Sequence, residues 1–273
     1  MASAAAGVGD FVGGLATRRA GAIAVMFLVQ CVAIVVLIPT VVLFPMTSVG
    51  ASDVLWGAAA GITGSIGLAL LYHGLAFGLM SAVAPVTAVT AAAVPVLAGA
   101  LLGDRPSFQQ AIGVALAIVA IGLITSAPRP STSTTHITSK QFGAAVTAGT
   151  MFGLFFVLLS FAEPASGAWP LLASRIAGAA LFGVLGIATR ATLWPTRGAI
   201  PIAATAGVLD VTATVFFLAA VYSGPLTLVA VLASFYPVTT LLLARTFLGE
   251  RFPRTRVAGL GFAALAIWLI VTP

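Results

Sequence analysis

Two carboxylates buried in apolar sequence, Asp210 and Asp10, carry the clearest capacity for chemistry in this chain. Asp210 follows Arg197 by thirteen residues and precedes Tyr222 by twelve, about 18–20 Å of helix from either edge. That is the middle of a bilayer, where an ionisable side chain is costly and marks function by default. Thr214 and Phe217 follow at i+4 and i+7, on the same helical face. A carboxylate so placed suits a cationic group of a substrate or a coupling proton; the alternative is a permanent hydrogen bond to a neighbouring helix. Asp10 lies eight residues from Arg18 and Arg19, about 12 Å along a helix. The glycines around it (Gly7, Gly9, Gly13, Gly14) permit close helix approach, which serves a cavity lining and plain packing equally well.

Three further residues belong on the same list of substrate-binding or proton-coupling candidates. His73, directly after Tyr72, is placed to relay a proton or to rest at a helix end. Arg175 lies close enough to the start of its apolar run to snorkel; otherwise it binds a substrate carboxylate or pairs with Asp10 or Asp210. Tyr236 stands beside Pro237, where proline frees a backbone carbonyl, and either lines a pocket or packs. Trp169 and Trp194 read as interfacial anchors.

Other chemistries find little material. Cys31 is the single cysteine and His73 and His136 are the only histidines, so neither a disulfide framework nor a metal site is expected. GxSxG, HExxH and P-loop patterns are missing, and the chain is expected to be neither an enzyme nor its own ATPase, with no cofactor. Gly7-Val8-Gly9-Asp10 fits the GxGD pattern of intramembrane aspartyl proteases, with Asp210 as a second acid. In those enzymes, however, the two acids come in the opposite order, and a short glycine motif weighs little among 29 glycines.

The elements that position these residues follow from composition. Of 273 residues, 60% are hydrophobic and 7% charged, with 12 Lys+Arg against 6 Asp+Glu, whereas a soluble chain carries about 25% charge. Lipid must be the main solvent. The basic residues are dispersed, which argues against nucleic acid and for loops that face anionic headgroups. Apolar runs broken at charges and Pro/Gly clusters predict spans at 2–17, 21–44, 53–73, 78–102, 107–126, 140–161, 168–189, 199–221, 225–248 and 254–272. The first, at 16 residues and about 24 Å, is short for a core of about 30 Å, so the reading is a start several residues late. Arginines and lysine concentrate in the loops between spans 1–2, 5–6, 7–8 and 9–10, which the positive-inside rule assigns to the cytoplasm.

A constant shift of 146 lays residue 60 on residue 206 without a gap to the C-terminus. Gly61 meets Gly207, Gly78 meets Gly224, Leu102-Gly103-Asp104-Arg105 meets Leu248-Gly249-Glu250-Arg251, and Gly113 meets Gly259. Five spans per copy is an odd number, so the second copy enters the membrane from the opposite side, the inverted-repeat plan of secondary transporters. The boundaries read as a first repeat at 1–126, a linker at 127–139 and a second repeat at 140–273. Gly103-Asp104-Arg105 and Gly249-Glu250-Arg251 read as matching structural turns, glycine ending one helix and the charged pair locking the next.

The segments LLGDRPSFQQAIGVALAIVAIGLI (101–124) and FLGERFPRTRVAGLGFAALAIWLI (247–270) resemble the repeat ends of the EamA-type ten-helix members of the drug/metabolite transporter superfamily. SGPLTLVAVLASFYPVTTLLLARTFLGER (223–251) is similar to that family's ninth helix, and GVGDFVGGLATRR (7–19) to the first helix of its actinobacterial members. One departure is Ala91 where the second repeat has Pro237, with Pro85 and Pro95 instead. The resemblance implies an all-α integral membrane fold of two inverted five-helix repeats. It also implies a multi-pass plasma-membrane protein that acts as a monomer on a small-molecule substrate, in contact with membrane lipid and not nucleic acid. The expected function is secondary export of a metabolite, amino acid or drug by alternating access, with proton coupling. A passive channel or a non-transporting scaffold is the alternative, and the aspartyl protease a remote one.

Overall fold

A computed structural model of the chain describes residues 1–43, 48–77, 80–125, 139–236, 239 and 254–271. Among them stand ten α-helices and one short 3₁₀ turn. In order these are α1 (Ala2–Ala20), α2 (Ala22–Leu43), α3 (Ala51–Phe77), α4 (Met80–Leu102), α5 (Phe108–Thr125), α6 (Ser139–Ser160), α7 (Trp169–Thr189), α8 (Ile200–Val221), α9 (Leu226–Ala233) and α10 (Arg254–Val271). Helices are what a chain of this composition must form, since hydrocarbon offers backbone groups no partner outside the segment itself. Five of them, α2, α3, α6, α7 and α8, are long and apolar enough to cross a membrane, and shorter apolar stretches lie in α4, α5 and α10.

Several boundaries differ from expectation. α1 continues through Arg18 and Arg19 to Ala20, giving 19 residues, and ends at Gly21, whose φ of 76° leaves the helical region. α3 starts two residues earlier than expected and runs on to Phe77; its start is fixed by Asp53, which accepts a hydrogen bond from the Gly50 amide at 2.9 Å. The helical stretch of α9 is eight residues and closes in a turn at Ser234 and Phe235. The rest of the span expected at 225–248, the turn Gly249-Glu250-Arg251, Pro237 and nearly all of the expected linker lie outside the described residues. α4 carries both Pro85 and Pro95 within one helix.

The packing order is that of two repeats related by a two-fold. α2 packs on α7, α4 on α9 and α5 on α10, each helix on its own counterpart. α3 meets α6 and α7 as α8 meets α1 and α2. The symmetry reaches single residues. A Cβ at Gly61 of α3 would collide with the Ser174 carbonyl of α7, and one at Gly207 of α8 would collide with the Val29 carbonyl of α2. Positions 61 and 207 differ by 146, and so do 29 and 175, the residue after Ser174. Small residues at these crossings allow backbone-to-backbone contact, which is how helices associate where no hydrophobic effect separates them from lipid.

The buried faces divide accordingly. α4, α5, α9 and α10 share an apolar cluster that includes Ala88, Val114, Ile121, Val231 and Ile270. α1, α2, α3, α7 and α8 share a second, with Met26, Val29, Leu71, Tyr72 and Phe182. α1 contributes small residues to its buried face, Gly7, Gly9, Gly13, Gly14, Ala16 and Thr17. That lets it lie close to α8 at Gly9 and to the Tyr72 ring at Gly13, and so carries Asp10 into the centre.

Candidate functional site

The centre of the bundle holds a cavity of about 90 Å³. α8 presents Asp210, Ala213, Thr214 and Phe217 to it, an i, i+3, i+4, i+7 set on one face. α1 supplies Gly9 and Asp10, α2 Gln30, α3 Gly64 and Leu68, and α7 Arg175. An aromatic wall comes from Phe152, Phe155 and Phe156 of α6, with Phe156 stacked on Phe217 at 4.4 Å between ring centroids. Tyr236, three residues past the end of α9, closes the remaining side.

One polar network runs behind the cavity. Arg175 Nη1 stands 2.6 Å from Asp210 Oδ2. Arg175 Nη2 donates to Thr214 Oγ1 at 2.5 Å, and Nη1 lies 3.4 Å from Gln30 Oε1. Gln30 Nε2 donates to Ser65 Oγ at 2.6 Å, and Thr214 Oγ1 donates to the Asp210 carbonyl at 2.7 Å. The Arg175 side chain is 7% exposed and that of Asp210 26%, so the guanidinium sits in the wall and the carboxylate opens towards the cavity. The Nη1–Oδ2 approach is a charge contact: among the described residues, Oδ2 accepts no directed hydrogen bond and Arg175 Nε meets no acceptor. Gly178 of α7 makes room for the Gln30–Ser65 pair, since a Cβ there would meet both side chains.

Of the sequence candidates, the fold brings Asp10, Asp210, Thr214, Arg175 and Tyr236 to this one cavity. His73 is left out, exposed at the far end of α3. The snorkelling alternative for Arg175 is corrected: its side chain points inward to Asp210 because Thr214 and Gln30 complete its coordination there. Gly103 has a φ of 99°, and Asp104 Oδ2 accepts from both the amide and the hydroxyl of Thr227, at 2.9 and 2.7 Å. The acid of that turn thus caps the start of α9 in the other repeat, while Arg105 is exposed.

Gln30 and Ser65 were not singled out from the sequence, nor was the aromatic wall. Gln30 had a signal: it is an amide within AIAVMFLVQCVAIVV, and the 146-residue shift sets it one position from the counterpart of Arg175. Phenylalanines among so many apolar residues give none.

Comparison with known proteins agrees with this architecture. A solved crystal structure superposes with a TM-score of 0.70, at 16% identity, over 99% of this chain and 96% of its own; at that identity the likeness concerns the fold. No curated protein matches the sequence. The profile of the EamA-like transporter family matches residues 1–126 and 141–272. The chain is therefore a multi-pass membrane protein built from two repeats, and it belongs to the EamA-like transporter family.

Proposed function

We propose that the chain is a secondary active transporter that holds a small organic solute in the cavity between Asp10 and Asp210 and exports it across the plasma membrane by alternating access, with proton coupling. The observation that carries this reading is the meeting of charged side chains from both repeats, Asp10 from the first and Arg175 and Asp210 from the second, in one central space. A site at the repeat interface is what rocking of one repeat against the other exposes to alternate faces. At about 90 Å³ the cavity has the volume of about three waters, while ligand clefts run to about 300–1,000 Å³. In this reading the helices part to admit cargo.

The partners in this reading are the small-molecule substrate and membrane lipid; nucleic acid plays no part, and the monomer is the working unit. Two acids facing one cavity also suit an aspartyl protease. Arg175 counts against that, because a proteolytic dyad shares its proton between like groups, whereas here one acid is already bound to a guanidinium.

The test is flux. Expression in a susceptible host is expected to confer resistance to a member of a panel of toxic amino acid analogues, metabolites and cationic drugs, and proteoliposomes should show saturable flux of that compound with counterflow. Non-saturating flux identifies a channel, and no flux of any panel member rejects the transport reading.

A further inference from the structure

A second space adjoins the central cavity. The C-terminal part of α8, the helix α9 and the first residues of α1 enclose about 240 Å³, against about 90 Å³ in the centre. Phe216, Phe217, Ala220, Val229, Leu232 and Ala233 form its walls, and Ser3 is the one lining residue with a polar side chain. Ala2, Phe217 and Ala233 line both spaces. Phe217 is the partition between them: it is 2% exposed, and its ring stacks on Phe156 of the aromatic wall. The chamber also breaks the symmetry of the repeats. In the first repeat the matching seam is closed, since a Cβ at Gly149 of α6 would strike the Thr87 carbonyl and Thr90 of α4, and Thr87 Oγ1 donates to the Ala145 carbonyl at 3.1 Å. The 146-residue shift carries Gly149 to Ser3 and Thr87 to Ala233, and both of these line the chamber. Where the first repeat packs backbone against backbone, the second leaves room. A space so poor in polar groups gives water and ions few partners, and apolar cavities of this kind take up hydrocarbon or xenon.

We propose that this chamber binds the apolar tail of an amphiphilic cargo whose polar head occupies the central cavity. The proposal rests on the transport reading above and names its substrate class: a small polar head joined to an alkyl or aryl tail. The central cavity by itself has room for a head group and little more. Joined, the two spaces reach the lower end of the about 300–1,000 Å³ typical of ligand clefts. The polar groups are divided in the same way, with Asp10, Asp210, Arg175, Thr214 and Gln30 all on the central side of Phe217. Rotation of the Phe217 ring off Phe156 joins the two spaces, and Phe217 thereby sets how long a tail the site accepts. A tail drawn from water into the chamber contributes in proportion to the apolar surface it buries.

The test uses crystals of the full-length protein, pressurised with xenon or soaked in 6-bromohexan-1-ol, a neutral amphiphile whose bromine marks the end of its tail. Anomalous scattering is expected to place xenon, and separately bromine, among Phe217, Ala220, Val229 and Leu232, with the hydroxyl of the bromoalcohol in the central cavity. Both peaks should fall to background in Ala220→Phe, which fills the chamber and leaves the central lining untouched. Val229→Phe fills it from α9 and serves if the first variant fails to fold. Bromine on the outer surface alone, or a chamber that takes up neither probe, overturns the assignment. A lipid or detergent chain that stays in the chamber through the soaks overturns it as well, since the site then belongs to lipid and not to cargo. The two readings fail separately. Saturable flux in a protein whose chamber stays empty of both probes sinks this assignment alone, and both probes in the chamber of a protein without flux sink the transport reading alone.

Discussion

Arg175 of α7 and Asp210 of α8 form a buried ion pair at 2.6 Å whose acid opens towards the central cavity and whose base lies in its wall. A pair of this kind contributes little net stability, but removing one partner strands the other, at a cost of about 3–5 kcal/mol. Arg175→Gln and Asp210→Asn are each expected to lower the thermal midpoint of the detergent-solubilised protein. The double variant is expected to recover most of the loss, because no charge is left unpaired. Additive losses in a double-mutant cycle would show that the two groups are not coupled.

Gly61 and Gly207 occupy equivalent crossings of the two repeats. Gly61→Val and Gly207→Val are both expected to destabilise, by about 1–3 kcal/mol, since the added carbons meet backbone carbonyls of α7 and α2 that cannot turn aside. Gly143→Val, where no atom of the described residues lies within 4 Å of an added Cβ, is the control and should leave the thermal midpoint unchanged.

Asp104 caps α9 by accepting from both donors of Thr227, its amide and its hydroxyl. Asp104→Ala is expected to cost about 0.5–2 kcal/mol and to speed amide exchange at Thr227 and its neighbours. Asp104→Asn, which retains an acceptor oxygen, should lie between the two. Equal exchange in all three proteins would remove the capping role.

Inverted repeats make a topological prediction. In a Cys31→Ser background, single cysteines at positions 105 and 251, equivalent in the two repeats, are expected to react with an impermeant maleimide from opposite faces of the membrane. Labelling of both from one face would contradict the odd number of spans per copy.

Gln30 links the ion pair to Ser65 of α3. Gln30→Leu removes acceptor and donor together and leaves Ser65 and one Arg175 contact unmet, an expected loss of about 1–3 kcal/mol. Ser65→Ala added to Gln30→Leu should cost little more. A full further loss in the thermal midpoint would mean that Ser65 is held by something else.

The membrane class, the run of ten helices and the two-repeat plan were legible in the amino-acid order, for a simple reason. Lipid demands long apolar segments with internally bonded backbones, and a repeat leaves the same glycine-acid-arginine turn 146 residues apart. Counting residues from Arg197 and from Arg18 gave the expectation that Asp210 and Asp10 lie deep in their helices. Which way a side chain turns around its helix is a different matter. The small residues that set α1 against α8 and α3, and the crossing at Gly207, decide that Asp10, Arg175 and Asp210 share one space and that His73 does not. By sequence Arg175 read first as reaching for the interface, with an acid as the alternative. Thr214 and Gln30, brought from two other helices, chose the acid. Contacts among four helices distant in sequence have no periodicity to betray them; they exist only once the helices have packed.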